Sequence, residues 1–519
     1  LRPFLIFLLL VLPVNAGAQE ASLPLPPVHE HILDNGLRLF ILPRAGSPTV
    51  SFVVQYRIGS VNEKPGVTGI AHLLEHLLFK GTTTVGTRNY EAELPLLLEM
   101  DLIHDSLVLE RRMVRGDGAD VESTGEPSGN PTGEPCLADS TRIKELEGRI
   151  RTLGERASEF VRSNEFDAIL SENGARGLNA MTTNEATTYY VELPANRTEL
   201  WFVLEADRMT NPVFREFYTE RDVVAEERRF RLESNASGLL YQAHMGEAFR
   251  VHPYGNPVIG TQEDIQNLAR RDVQEYFLDY YGPNNAVVAI AGDVDPEEIL
   301  SWAKEYLGPI PRGQTPPEVT AEEPAQSAER RVQVVFDAEP SLRMGWRAPA
   351  SLHPDTPALA MLATLLTGGR TSRIYRRLVL EDRIATGITS GTGPGNLFPG
   401  LFSIEAFPRS PHTTEEVEAA VYEELERLKE EPPEEWELQR VRNQLEASEI
   451  RRLQSSFGLA IQVAQSASLF GDWKQTFSFT REMGAVTPED IQRVVRTYFN
   501  DSQRTVATLV KSHPEGEKD

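Results

Sequence analysis

The chain has 519 residues, a formal net charge of −25 at pH 7, 40% apolar residues and 25% charged residues. That length accommodates more than one domain, and the composition is that of a globular chain, which excludes general disorder. The acidic balance excludes non-specific binding to nucleic acid, whose phosphates require a basic surface, so no nucleic-acid partner is expected.

At the N-terminus Arg2 precedes an apolar run over 4–12, then Pro13 and the small-residue stretch Asn15-Ala16-Gly17-Ala18. This is the order of a secretory signal peptide. Residues 1–18 are read as that peptide, with cleavage after Ala18 and a mature protein in the periplasm or outside the cell. The run is short for a bilayer span, so membrane association is not indicated beyond the signal peptide. Cys136 is the only cysteine, so no internal disulfide can form, and packing and metal must carry stability.

Strands are predicted at 31–33 and 37–42 around the hairpin turn Asn35-Gly36, and again at 51–58. A helix over 69–80 is apolar nearly all round and should be buried. Residues from about 91 to 166 read as an insertion, a helical hairpin. Its second arm spaces Ile143, Leu146, Ile150, Leu153, Ala157 and Phe160 in steps of three and four, and its tip is rich in Gly, Pro, Ser and acidic residues. Strands follow at 177–181 and 187–193, helices at 197–209, 216–233 and 264–281, a strand at 286–291, and a helix opened by Asp295-Pro296. A Pro- and Glu-rich stretch, 309–329, reads as a linker between an N-terminal domain (28–308) and a C-terminal one (330–512), with a tail at 513–519. The second domain repeats the order: strands 332–336 and 342–346, helices 358–366 and 371–380, strands 384–390 and 401–406, helices to 498, strand 505–510. Residue identity between the halves is negligible, so duplication rests on element order. The fold class is α+β: two halves, each a mainly antiparallel sheet with helices on one face, plus the inserted hairpin.

The buried helix carries His72-Leu73-Leu74-Glu75-His76. Residues four apart share a helix face, so both imidazoles can address one ion, while Glu75 lies on the adjoining side, in reach of a metal-bound water. H-x-x-E-H is the inverse of the H-E-x-x-H zinc-peptidase order. Two histidines leave a catalytic zinc one protein ligand short. The segment 220–230 supplies a candidate: Val223, Glu227 and Phe230 fall on one face, so Glu227 is expected to point inward among apolar neighbours. Glu220, two turns earlier, is expected to accept a hydrogen bond from a ligating histidine.

The run Gly69-Ile70-Ala71-His72-Leu73-Leu74-Glu75-His76-Leu77-Leu78-Phe79-Lys80-Gly81-Thr82 resembles the core motif of the insulinase/pitrilysin family of zinc metallopeptidases, which includes the mitochondrial processing peptidases. Leu178-Asn179-Ala180-Met181-Thr182 resembles its active-site edge strand, and Glu220 through Glu227 its third-ligand helix. His252-Pro253-Tyr254-Gly255 and Gly368-Gly369-Arg370-Thr371-Ser372-Arg373-Ile374-Tyr375 are similar to familial segments as well. The resemblance implies one zinc on His72, His76 and Glu227, Glu75 as general base, and a peptide substrate added to the sheet edge near Asn179 and Ala180, within a closed chamber.

Two departures stand out. The gap between His76 and Glu227 is about twice the family's, which the insertion explains. In its C-terminal half the family often places an Arg and a Tyr where this chain has Val379 and Thr386. The expected partner is therefore a zinc-less homologous subunit in a heterodimer, or a second copy in a homodimer. The competing readings are a non-catalytic structural member of the family and an exported metal-binding module.

Overall fold

The computed structural model describes residues 27–115 and 137–512. The predicted signal peptide, the hairpin tip as far as Cys136 and the tail at 513–519 lie outside the described residues. The first half builds a sheet from β1 (His29–Ile32), β2 (Arg38–Pro43), β3 (Thr49–Tyr56), β4 (Arg176–Thr182), β5 (Thr187–Pro194) and β6 (Ala286–Gly292). Their spatial order is β1-β2-β6-β3-β5-β4. Only β2 and β6 run parallel; the other neighbours are antiparallel.

The second half builds a sheet from β7 (Arg330–Phe336), β8 (Ser341–Ala348), β9 (Ala385–Gly393), β10 (Gly400–Pro408) and β11 (Arg504–Lys511), ordered β7-β11-β8-β10-β9 with β7 and β11 parallel. With β1 set aside, the two sheets are wound identically. In each, the last strand lies parallel to the first, and beyond it come the second, fourth and third. The halves thus share a topology that their residues do not display.

The helices of the first half are α1 (Ile70–Leu77), α2 (Tyr90–Arg115), α3 (Leu137–Ser158), α4 (Glu165–Glu172), α5 (Thr198–Thr210), α6 (Phe217–Arg228), α7 (Ala236–Ala248), α8 (Gln262–Asn267), α9 (Arg270–Tyr280) and α10 (Pro296–Trp302). Those of the second are α11 (Thr356–Thr367), α12 (Thr414–Glu430), α13 (Glu435–Gln454), α14 (Ser456–Phe470), α15 (Gln475–Ala485) and α16 (Pro488–Tyr498). Helices α2 and α3 pair around Leu97, Met100, Ile103, Leu107, Leu146 and Leu153, and a bridge between Thr87 and Val161 closes their root.

Several elements differ from expectation, including the unpredicted α4 and a π turn at Tyr375–Glu381 in the helix predicted over 371–380. The helix predicted over 216–233 is α6 as far as Arg228 and then a wider π turn, Arg229–Glu233. The helix predicted over 264–281 is two helices, because a second cap follows the first. Thr261 Oγ1 accepts from Asp264 N (3.1 Å), and eight residues on Asp272 Oδ2 accepts from Ala269 N (2.8 Å). Helix α7 was not anticipated; it opens at Asn235, whose side chain accepts from Gly238 N at 3.0 Å.

The central strands of each sheet are buried on both faces. Along β2, Leu39 and Ile41 face the helices of the first half, while Phe40 and Leu42 face away; β6 alternates in the same way, Val288 and Ile290 against Val287, Ala289 and Ala291. The outward set is covered by α14, a helix of the second half, through Leu459, Ala460, Val463, Ala464 and Ala467. The exchange is reciprocal: α7 of the first half lies on the back of the second sheet, packing Leu240 against Ala507 and Leu509. His244 on α7 donates from Nε2 to Thr505 O (3.2 Å) and lies so close over Gly345 that a Cβ there would collide with its ring.

Candidate metal centre

Helix α1 starts from Gly69 in a left-handed conformation (φ 88°), where a side chain would also collide with the Ile259 carbonyl. No side chain of the helix caps its start. Glu63, folded back from the preceding loop, accepts from Gly69 N (2.9 Å) and Ala71 N (3.0 Å), placing its carboxylate at the positive helix end. Burial pushes the Glu63 carboxyl up to about 8, against the pull of those two N–H groups. The helix that carries His72 and His76 is therefore clamped at its N-terminal end.

Helix α6 crosses α1 and brings the third donor. Glu227 Oε2 lies 3.8 Å from His72 Nε2 and 3.6 Å from His76 Nε2. One ligand atom from each of the three residues falls within 4.8 Å of the others, the one such cluster among the described residues. Glu227 was expected among apolar neighbours, and here the structure differs: Val223 is 46% and Phe230 75% exposed. The buried face of α6 is instead Phe217, Glu220, Val224 and Arg228. Glu227 sits at the edge of that face, its other oxygen held by Arg231 Nη2 at 2.7 Å.

Behind His76, Glu220 Oε1 accepts from Nδ1 at 2.9 Å, and Glu220 Oε2 takes Lys80 Nζ at 2.6 Å. Burial would raise the Glu220 carboxyl, but the bonds from His76 and Lys80 outweigh it and hold it at about 2. Burial likewise lowers His76, yet its bond to Glu220 and the nearby carboxylates win and raise it. His72 has no such partner; burial, helped by His76 and Arg231, brings it down to about 3, leaving a neutral imidazole. Its Nδ1 is buried without a hydrogen bond.

Glu75, 9% exposed, lies beside the cluster rather than in it. Its Oε2 accepts from Thr182 Oγ1, at the end of β4. Burial raises this carboxyl, with the Thr182 bond pulling the other way. Among the described residues, β4 is an outer strand bonded only to β5, which leaves its other edge open. Asn179 is exposed on that strand, and its Oδ1 accepts from Ala180 N at 2.8 Å. Val379 is buried in the core of the second half, and Thr386 is exposed, donating to Phe407 O at 3.2 Å. Sequence reasoning missed Glu63, Thr182, Lys80 and Arg231 as supports of this site. Lys80 and Thr182 lie inside motifs already noted, but only the fold gives them partners.

The sequence profile described as Insulinase (Peptidase family M16) matches residues 40–97 and 156–262, and the one described as Peptidase M16 inactive domain matches 267–445. The chain belongs to the insulinase family, peptidase family M16. The M16 match skips 98–155, a stretch within the α2–α3 pair. Zinc protease PqqE of Helicobacter pylori is 26% identical over 513 residues, 96% of each chain. The crystal structure of a protease from Helicobacter pylori superposes with a TM-score of 0.76 and 25% identity, over 94% of this chain and 100% of that one. The periplasmic protease PqqL from Escherichia coli shares the fold, with a TM-score of 0.67 and 17% identity over 94% of this chain and 48% of its own.

Proposed function

We propose that this M16 chain is an exported zinc endopeptidase in which His72, His76 and Glu227 hold one zinc and Glu75 is the general base. The observation that carries the reading is the convergence of those three donors within 4.8 Å, beside a carboxylate that is not one of them. The donor set fits zinc. Its N–O separations of 3.6 and 3.8 Å are close to the ~3.3 Å expected between ligands of a tetrahedral ion with bonds of about 2.0–2.1 Å. Bound there, zinc would supply Lewis acidity toward a carbonyl oxygen and lower the pKa of a water to about 7.

The chain's own residues divide the remaining work. Glu75, raised by burial, takes a proton from the attacking water and returns it to the leaving amine. Thr182 occupies one of its oxygens and so selects which is free to react. Glu220 accepts a hydrogen bond from His76 Nδ1–H, which leaves Nε2 to face the position between His72 and Glu227. The free edge of β4, at Asn179 and Ala180, accepts an extended substrate as an added strand. Main-chain pairing of this kind favours flexible polypeptides over one particular side chain.

Export rests on the leader over 1–18 and is consistent with the periplasmic location of the Escherichia coli relative. Among the described residues no helix is long and apolar enough to cross a membrane. We read 28–308 as the zinc-bearing domain, with the hairpin as an insertion, and 330–512 as its non-catalytic counterpart. A partner, zinc-less homologue or second copy, is favoured because Val379 and Thr386 stand where the family often places Arg and Tyr. The PqqL chain, 48% of which this fold occupies, supports a pairing of two such units.

Zinc content and casein cleavage, measured for the wild type and for Glu75→Gln, test the reading. Zinc retained with cleavage lost in the variant is the expected result. Equal cleavage would remove Glu75 as base, and a wild type that binds no zinc would remove the proposal. Full activity from a homogeneous monomer would sink the partner.

A further inference from the structure

Three residues past Thr182, the turn between β4 and β5 carries Glu185, which is 3% exposed. Its carboxylate is directed at the second half of the chain. Oε2 accepts from Asn396 N and Oε1 from Leu397 N, both at 2.7 Å, and Oε1 also accepts from the Tyr254 hydroxyl. Asn396 and Leu397 lie on the connection between β9 and β10. The approach is close: a Cβ at Gly395 would collide with the Tyr254 hydroxyl and Glu185 Oε1. Phe398, next on the connection, packs against the rings of His252 (4.9 Å) and Tyr254 (6.0 Å).

The same turn is fixed from its other side. Thr183 O accepts from Ser60 N (3.2 Å), Asn184 O from Val61 N (2.9 Å), and Asn184 Nδ2 donates to Ser60 Oγ (3.1 Å). At its start Thr182 donates to Glu75. Four consecutive residues therefore touch the base, the loop leading to α1, and the second half. A buried carboxylate is tolerated only while its donors stay in place. Two of the three donors to Glu185 are backbone N–H groups of the second half, so any separation of the halves strands it.

We propose that Glu185 is a positioning residue that couples docking of the second half to the placement of Thr182, and through it of Glu75 and the substrate edge. Its effect on rate rests on the peptidase reading above; its effect on structure does not. Displacement of a reacting group by an ångström can cost about 100-fold in rate, so a small shift of the turn suffices.

The test uses the full chain with Glu185→Ala, Glu185→Gln and Gly395→Ala, the last acting from the opposite half. Zinc content, hydrogen exchange over 179–187 and 394–398, and kcat and KM on casein-derived peptides are measured together. In Glu185→Ala and Gly395→Ala, exchange rises in both segments, zinc is retained, and kcat falls by about tenfold or more with little change in KM. Glu185→Gln, which keeps an acceptor oxygen, lies closer to wild type. Faster exchange at 394–398 alone, with 179–187 and kcat unchanged, overturns the coupling and leaves a structural staple. Unchanged exchange in both segments overturns it as well. If Glu185→Ala fails to fold, the other two variants carry the test. If the wild type cleaves nothing, the peptidase reading falls, and the paired exchange response alone decides for or against Glu185.

Discussion

Glu220 joins two groups at the proposed metal centre. One oxygen takes the Nδ1 proton of His76, the other the Lys80 ammonium. Partners of this kind fix ring orientation, and removing them typically lowers metal affinity by about 10–100-fold. Glu220→Gln is therefore expected to lose zinc to a chelator at about 10–100-fold lower chelator activity than the wild type. Lys80→Met should move in the same direction by a smaller amount, and wild-type retention by both would remove the role. At this scale the sequence was informative where geometry is local. Two histidines four apart on a helix share a face whatever surrounds them, so His72, Glu75 and His76 could be read directly. Glu227 does lie beside the two histidines, but the reason given for it fails, since Val223 and Phe230 face solvent. Glu63, Thr182 and Arg231 act through partners that no spacing rule announces, because a loop carboxylate or a strand hydroxyl has no period.

Among the elements, the loop after α1 and the root of the α2–α3 hairpin are held by one ion pair. Arg215 and Glu93, 1% and 0% exposed, meet at 2.9 Å. Arg215 also donates to the carbonyls of Lys80 (2.7 Å), Thr82 (2.7 Å) and Val85 (3.1 Å). Removing one partner of such a pair strands the other, at a cost of about 3–5 kcal/mol. Glu93→Ala should show that loss in a denaturant melt; a change under about 1 kcal/mol would mean the site relaxes or hydrates freely. The strands were read almost in full, because alternation survives in any context. The helices were read less well where the signal is capping rather than periodicity. The break between α8 and α9 depends on Asp272 reaching back to Ala269, and α7 has small and polar residues on most of its face because it lies on a sheet belonging to the other half.

For the molecule as a whole, the linker is more than a tether. Glu323 accepts from Val251 N (2.8 Å) and His252 N (3.0 Å) and lies 3.4 Å from Arg347 and 3.7 Å from Arg330. Burial opposes its ionisation, but the backbone N–H groups and Arg347 prevail and hold the carboxyl below its ordinary value of 4.5. A carboxylate depressed in the folded state stabilises it above the unfolded pKa, and that contribution is lost as pH falls through the folded value. Glu323→Gln should therefore lower Tm at pH 6 and converge on the wild type as the pH drops well below 4.5. Parallel melting curves across that range would show that Glu323 does not contribute through its charge. The mutual covering of the sheets by α7 and α14 makes a second forecast. Either half expressed alone, with Phe40, Leu42 and Val53 or Ala507 and Leu509 uncovered, should be insoluble, and co-expression should recover both. Soluble, separately folded halves would contradict it. No pattern in either half names the surface its helix will cover, which is why this feature was invisible before the fold.

The loan of one helix in each direction changes what the peptide bond between the halves is for. A protease nick within 309–329 would leave two fragments that still elute as one particle, each gripping the other's sheet. Covalent continuity there supplies synthesis in equal amounts and rapid encounter, not cohesion. The gene should accordingly tolerate fission into two open reading frames at this point, or re-entry of the chain at a new terminus there. Either rearrangement would leave the neighbourhood of His72 unaltered.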